Sequence, residues 1–73
     1  MLPWEVLFFL GKIRRGGYIF FIWKGDHAPR HVHVMRGRRL IVKWNLTQQQ
    51  AAKGEASARI RHLIRELEAE GRL

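Results

Sequence analysis

Two glycine-containing turn signals divide residues 12–45 into short strand-like runs, and this pattern constrains the fold most. Gly16-Gly17 precedes the run YIFFIW, whose β-branched and aromatic residues are typical of a strand covered on both faces. Gly37-Arg38 separates HVHVMR, which alternates with period two, from a second run, RLIVKWN. Two-residue loops with glycine favour β-hairpins because glycine tolerates the positive φ that these loops need. The sequence therefore predicts two antiparallel hairpins.

The segments on either side of the hairpins predict one clear helix. Pro3–Leu10 fits either a short helix or a strand that begins near Val6, and we favour the strand. The run TQQQ at 47–50 predicts a short capped turn that Gly54 ends. Residues 55–70 predict a helix, because apolar side chains recur at i, i+3, i+4 and i+7: Ile60, Leu63, Ile64 and Leu67. We expect an α+β fold, a small antiparallel sheet of three to four strands with the C-terminal helix packed on one face.

The size of the chain and its lack of cysteine predict a single small cytoplasmic domain. The 73 residues form one domain, and without cysteine they have neither disulfides nor thiolate metal ligands. The apolar start MLPWEVLFFL contains Glu5 and is much shorter than the roughly 20 residues of a membrane span. We therefore expect neither a signal peptide nor a membrane anchor. None of these features predicts the oligomeric state.

The net charge of +8 is the strongest global signal for function. Nine basic side chains fall between residues 12 and 43, against one acid, Asp26: Lys12, Arg14, Arg15, Lys24, Arg30, Arg36, Arg38, Arg39 and Lys43. A concentrated positive field attracts polyanions, and arginine binds phosphate with two parallel hydrogen bonds. The composition therefore favours nucleic acid as the partner. RNA is favoured over duplex DNA because the one predicted helix ends in acidic residues and makes a poor major-groove reader.

The arginine-rich hairpins are the predicted contact surface. The residues expected to bind nucleic acid are Arg14, Arg15, Arg30, Arg36, Arg38, Arg39 and Lys43. This interpretation needs no cofactor.

The stretch KGDHAPRHVHV, residues 24–34, contains three of the four histidines. Asp26 fits a turn, and Pro29 stiffens the segment that enters the next strand. His31 and His33 are two residues apart in a predicted strand, so their side chains lie on the same face about 7 Å apart. That spacing suits two ligands of one metal ion, or an acid and a base beside one phosphate.

Three interpretations of the histidines stay open. A Zn²⁺ site would use His31 and His33 with Asp26 or His27 as a further ligand, although the surrounding arginines repel a cation. A phosphodiesterase or ribonuclease, metal-free or metal-assisted, would use His31 and His33. In the metal-free form these two histidines transfer protons, with Asp26 as the orienting group and Arg30 or Lys43 stabilising the phosphorane. The third interpretation is a structural or binding role without catalysis.

The register of the second hairpin decides which way these histidines face. With a two-residue loop, His31 opposes Trp44 and His33 opposes Val42, on the more apolar face. A three-residue loop would instead place His33 opposite Lys43, on a polar face. The shorter loop is the commoner geometry. We therefore favour the register that turns both histidines towards the core.

The runs GGYIFFIWKGDHAPRHVHV and LIVKWNL and the terminal helix pattern resemble the small prokaryotic proteins of domain-of-unknown-function family 4160. The signature of that family resembles Asp-His-x-Pro-x-His-x-His-Val, and the matching positions are Asp26, His27, Pro29, His31, His33 and Val34. Arg30 replaces a second proline of many relatives, and Asn45 stands where an aspartate is expected. The resemblance implies a compact α+β fold, a cytosolic prokaryotic protein and a toxin–antitoxin-like gene neighbourhood, with no established activity. A protein-binding module without catalysis, with an antitoxin-like partner, is therefore a further alternative.

Overall fold

The computed structural model describes the backbone of residues 8–24 and 30–73, and the side chains of residues 11–22 and 30–73. The elements are β1 (Phe8–Arg15), β2 (Tyr18–Lys24), β3 (His31–Arg36), β4 (Arg39–Asn45), β5 (Gln50–Gly54) and α1 (Ala58–Ala69). The strands form one antiparallel sheet in chain order, β1-β2-β3-β4-β5. The α+β class is confirmed. The predicted count of three to four strands is wrong, because the sheet has five.

The β1–β2 hairpin forms where the paired glycines predict it. Gly16 and Gly17 have φ values of 63° and 85°, so both adopt the left-handed conformation that favours glycine. A Cβ on Gly16 would lie 2.7 Å from Cδ1 of Leu63 in α1. The turn therefore also needs glycine because it lies directly against the helix. β1 begins at Phe8, which agrees with the favoured strand interpretation for residues 8–10; residues 3–7 lie outside the described part of the chain.

The fifth strand occupies the segment for which we predicted a short turn ending at Gly54. Residues 46–49 instead form the loop of a β4–β5 hairpin. The Oδ1 atom of Asn45 accepts a hydrogen bond from the backbone N–H of Gln48 at 2.7 Å. The carbonyl oxygen of Asn45 accepts one from the backbone N–H of Gln49 at 2.8 Å. The second bond closes a single i→i+4 turn that does not continue as a helix. Gln49 then adopts a φ of 56°, and the chain returns along β4 as β5.

The β3–β4 hairpin has the predicted two-residue loop. Arg36 pairs with Arg39 across Gly37-Arg38, and Gly37 has a φ of 62°. Beyond the tip, a β-bulge leaves Ile41 without an opposite residue in β3 and shifts the pairing by one position. A bulge of this kind adds one residue to one strand only.

Because of this bulge, the favoured register of the histidines is wrong. His33 pairs with Lys43, not with Val42, and His31 pairs with Asn45. The pairing of His33 with Lys43 is the one that the sequence associates with a three-residue loop. The loop has two residues, and the bulge supplies the shift that a longer loop would have given.

One face of the sheet packs against α1 and forms the core. The buried apolar side chains are Ile13, Phe20, Val32, Val34, Val42, Trp44 and Leu46 from the sheet side, with Ile60, Leu63, Ile64 and Leu67 from α1. All four apolar positions predicted for the helix are buried, which confirms the pattern. Each fully buried residue of this size contributes about 1.5–3 kcal/mol through the hydrophobic effect.

Both ends of α1 are capped by local hydrogen bonds. The Oγ atom of Ser57 accepts from the backbone N–H of Ile60 at 3.1 Å. At the other end, Gly71 has a φ of 73°, and the N–H of Arg72 donates to the carbonyl oxygen of Leu67 at 2.9 Å. Gly71 therefore ends the helix as the sequence predicted. At 12 residues α1 is too short to cross a bilayer, and the described part of the chain has no other helix that could do so.

Candidate nucleic-acid interface

One residue from each strand lies in a single row across the sheet, on the face opposite α1. Successive cross-strand pairs join these residues, which we call the central row: Lys12, Phe21, His33, Lys43 and Lys53. Because neighbouring strands are about 4.8 Å apart, the row spans about 19 Å from end to end. We call this side of the sheet the open face.

The described elements leave the open face uncovered. None of the central-row residues belongs to the core cluster, whereas their neighbours Phe20, Val32 and Val42 are fully buried under α1. This difference follows from the alternation of side chains along a strand. Within residues 8–24 and 30–73, the single helix packs on the opposite face. Phe21, His33 and Lys43 are consequently half-buried.

A second row beside the first gives the open face an apolar patch. Arg14 pairs with Ile19, Ile19 with Met35, and Met35 with Leu40. Leu40 is 39% exposed and is the most exposed large apolar side chain of the described residues. The middle of the open face is therefore apolar and aromatic, and basic side chains lie at its margins.

Acidic side chains of the described residues are confined to the segment after β5, whereas basic side chains occur in both the sheet and the helix. The five strands contain no Asp or Glu, and their basic residues are Lys12, Arg14, Arg15, Lys24, Arg36, Arg39, Lys43 and Lys53. The acidic residues of the described chain are Glu55, Glu66, Glu68 and Glu70, all after β5. No carboxylate of the described strands therefore offsets the positive field of the open face.

The two histidines of β3 share the open face, as their spacing predicted. Burial lowers the pKa of His33 below its ordinary value of 6.5, and the positive charges of Lys43 and His31 lower that pKa further. The imidazole of His33 is therefore mainly neutral at pH 7. It contributes an aromatic ring and a proton acceptor to the central row, while the lysines supply the positive charge.

The described residues contain no cluster of three His, Cys, Asp or Glu side chains that could hold a metal ion. His31 and His33 supply two neighbouring nitrogen ligands on one face. The other predicted ligands, Asp26 and His27, lie outside the described residues, as does the orienting role predicted for Asp26. The zinc site therefore stays a prediction.

The predicted phosphate-binding side chains do not form one surface. Arg14 and Lys43 lie on the open face. Arg15 lies on the helix side, where its guanidinium donates two hydrogen bonds to the carboxylate of Glu70, at 2.6 and 2.9 Å. That contact lowers the pKa of Glu70 and raises that of Arg15. Arg15 is therefore engaged within the molecule.

The remaining predicted arginines lie at the hairpin tip and at the start of β3. The guanidinium carbon of Arg36 lies 5.8 Å from the centroid of the Tyr18 ring, a cation–π distance. Arg38 and Arg39 are exposed at the tip. Arg30 is exposed too, and its carbonyl oxygen accepts a hydrogen bond from the N–H of Leu46 at 2.8 Å. The tip therefore borders the open face without being its centre.

Comparison with protein-family models matches residues 17–72 to the family described as Domain of unknown function (DUF4160). The chain belongs to the DUF4160 family. The match covers most of the chain and confirms the family resemblance. No curated protein and no solved structure matches this DUF4160 protein. Its function must therefore be argued from its own geometry.

Three members of the central row of this DUF4160 protein were not among the predicted binding residues: Lys12, Phe21 and Lys53. Lys12 and Phe21 lie in segments that the sequence marks as strands, and alternation alone would place each of them on the face opposite its buried neighbour. The missing information was the register between strands. Lys53 could not be placed, because β5 itself was not predicted.

Asn45, where relatives are expected to have aspartate, has a structural role in this DUF4160 protein. Its side chain is 5% exposed and holds the β4–β5 loop through the N–H of Gln48. The hydrogen bond needs an acceptor oxygen, which either Asn or Asp supplies. No catalytic carboxylate is required at this position to explain the residue.

Proposed function

We propose that this protein binds nucleic acid through its open face and the adjoining hairpin tip. The observation that carries the proposal is the charge of the sheet, because the five strands contain basic residues and no acidic ones. Phosphate contacts from Lys and Arg supply most of the affinity of non-specific nucleic-acid binding. A surface that presents only positive charge around an apolar centre suits such a polyanion.

RNA is the favoured nucleic acid because the helix is poorly placed to read a DNA groove. The apolar side of α1 is buried against the sheet, and Glu66, Glu68 and Glu70 lie at its C-terminal end. A recognition helix needs a free basic or polar surface for the major groove. Exposed sheets, by contrast, commonly receive single-stranded RNA, whose bases are free to turn outward.

Fluorescence anisotropy with labelled RNA and DNA of one mixed sequence tests this proposal. We expect Lys43→Gln with Lys53→Gln to weaken binding and to flatten the slope of log K against log salt by about 1.4, at about 0.7 per lost contact to a single strand. The matched control, Arg61→Gln with Arg65→Gln, removes the same charge from the exposed side of α1. No binding at low salt, or equal losses in the two double variants, would refute the proposal.

A second candidate function is RNA cleavage, and the His33–Lys43 pair favours it. A neutral His33 could accept the proton of a ribose 2′-hydroxyl as its oxygen attacks the adjacent phosphorus. His31 could donate a proton to the departing 5′-oxygen, while Lys43 stabilises the negative charge of the phosphorane. The products would be a 2′,3′-cyclic phosphate and a free 5′-hydroxyl.

The cleavage candidate is tested by following labelled RNA and its all-deoxy counterpart over time in a sequencing gel. We expect the RNA to be cut and the deoxy strand, which lacks the attacking hydroxyl, to survive. Cleavage should disappear in the double variant His31→Ala with His33→Ala. If cleavage persists in that variant, it comes from a contaminant or from other residues of the protein.

A further inference from the structure

We infer that the open face is a stacking platform for single-stranded nucleic acid, with the bound strand running across the β-strands along the central row. The inference rests on the proposed function and specifies its ligand. In this arrangement Phe21 and His33 stack against bases, and the lysines of the row contact phosphates.

The rings of the platform are placed side by side at the middle of the sheet. Phe21 and His33 are a direct cross-strand pair, so their Cβ atoms are about 5 Å apart. Both side chains are partly exposed on the open face. Two adjacent rings offer π-surface to neighbouring bases, and stacking of this kind changes affinity about 5- to 150-fold per base. It is also tolerant of sequence, since every base has a π-face.

The lysines of the central row lie on both sides of the two rings. Lys12 lies one strand beyond Phe21, and Lys43 and Lys53 lie one and two strands beyond His33. When a single strand stacks its bases on the rings, the phosphates on either side of those bases can therefore each reach a lysine of the row. The row spans about 19 Å, so the contact is limited to a few nucleotides.

The apolar patch beside the rings favours the same ligand. Ile19, Met35 and Leu40 cannot bind phosphate, but they can pack against a base or a sugar. A duplex keeps its bases stacked inside and presents mainly phosphate and sugar to a flat surface. The half-buried rings would gain nothing from a duplex. The platform therefore predicts a preference for single strands that charge alone would not give.

The direct test uses the unmodified protein and two ligands of equal charge. A single-stranded oligonucleotide of eight residues is compared with an abasic strand of the same length, by anisotropy at fixed salt. We expect the abasic strand to bind at least about fivefold more weakly, because it keeps the phosphates and loses the stacking. Equal affinities for the two strands would overturn the inference.

A matched pair of variants locates the stacking site. We expect Phe21→Leu to weaken single-strand binding at least about fivefold while leaving duplex binding and the salt slope unchanged. Ile22→Leu, on the same strand but on the face that packs against α1, should bind as the wild type does. Unchanged single-strand binding by Phe21→Leu, with loss in the Lys43→Gln, Lys53→Gln variant, would overturn the platform and keep the proposed function. If the lysine variant also bound normally, both would fail.

Discussion

At the scale of single residues, the half-buried position of His33 makes stability depend on pH. Its pKa in the folded protein lies below the ordinary value of 6.5, because of burial first and then of Lys43 and His31. Between those two pKa values the unfolded chain binds more protons than the folded one. Stability should therefore fall as the pH drops through 6.5 and stop falling below the folded pKa.

Urea unfolding at pH 7.5 and 5.5 measures this dependence of stability on His33. We expect the wild type to lose stability on acidification and His33→Gln to lose less, since Gln does not titrate over this range. An identical loss in both proteins would show that His33 is not responsible.

Among the glycines of the sheet, Gly54 is the one at which a larger residue should be tolerated least. Its φ is 77°, and a Cβ there would lie 2.3 Å from the carbonyl oxygen of Ile41. Gly37 has a similar φ of 62°, but a Cβ there would meet nothing within 4 Å. The two positions share the backbone strain and differ in the steric clash.

We expect Gly37→Ala to lower the free energy of unfolding by about 1–2 kcal/mol, the cost of a left-handed conformation for an L-residue. Gly54→Ala should cost more than Gly37→Ala, because β5 must also move away from β4. Chemical denaturation of the two variants measures the difference. Equal effects would mean that β5 is not held against Ile41 as the structure shows.

At the scale of elements, the helix and the hairpin turns could be predicted, but β5 and the bulge could not. The spacing of Ile60, Leu63, Ile64 and Leu67 predicts α1, because a helix that buries one side has apolar residues at regular helical intervals in the sequence. The strand QAAKG has no such pattern of apolar residues, since all five residues are exposed and none is β-branched or aromatic. It is a strand because the loop held by Asn45 returns the chain to the edge of β4.

The bulge at Ile41 changes the direction in which the histidines face and leaves the strand order unchanged. It depends on how β3 and β4 fit together, which no local pattern reports. The favoured register followed correctly from the two-residue loop, yet the extra residue moved the histidines to the other face. Of the central row, His33 and Lys43 were therefore predicted as site residues, but the direction in which the histidines face was not.

The ion pair between Arg15 and Glu70 joins the end of β1 to the end of α1. The acidic C-terminal end of the helix opposes its own dipole, and contact with Arg15 offsets that repulsion. Because the pKa of Glu70 is lowered in the folded state, this contribution is present above the ordinary pKa of a glutamate and is lost as the pH falls through the lowered value.

A double-mutant cycle of Arg15→Ala and Glu70→Gln measures the coupling between the two side chains. We expect a favourable coupling in dilute salt that largely disappears in 1 M salt, because exposed charges are screened over a few ångströms there. A coupling that salt does not change would indicate packing of the arginine stem and not charge. The pair Lys43→Gln and Arg65→Gln, which no contact joins, should show no coupling.

At the scale of the whole molecule, the sequence located the positive charge in the chain, and the sheet determined its arrangement in space. The nine basic residues between 12 and 43 correctly predicted a basic sheet, because that segment forms most of the strands. Arg15 and Arg36 face the helix side, however, and Lys53 joins the open face from β5. These positions follow from the pairing of distant segments.

The strand order β1-β2-β3-β4-β5 has a consequence for how quickly the chain reaches this arrangement. Every strand pairs with the one before it, so the sheet can grow hairpin by hairpin without closing a long loop. Proteins dominated by such short-range pairings have low contact order and fold faster than sheets with distant strand pairs. Less time is then spent with unpaired strand edges and exposed aromatic side chains, which in a small β-rich protein is protection against aggregation.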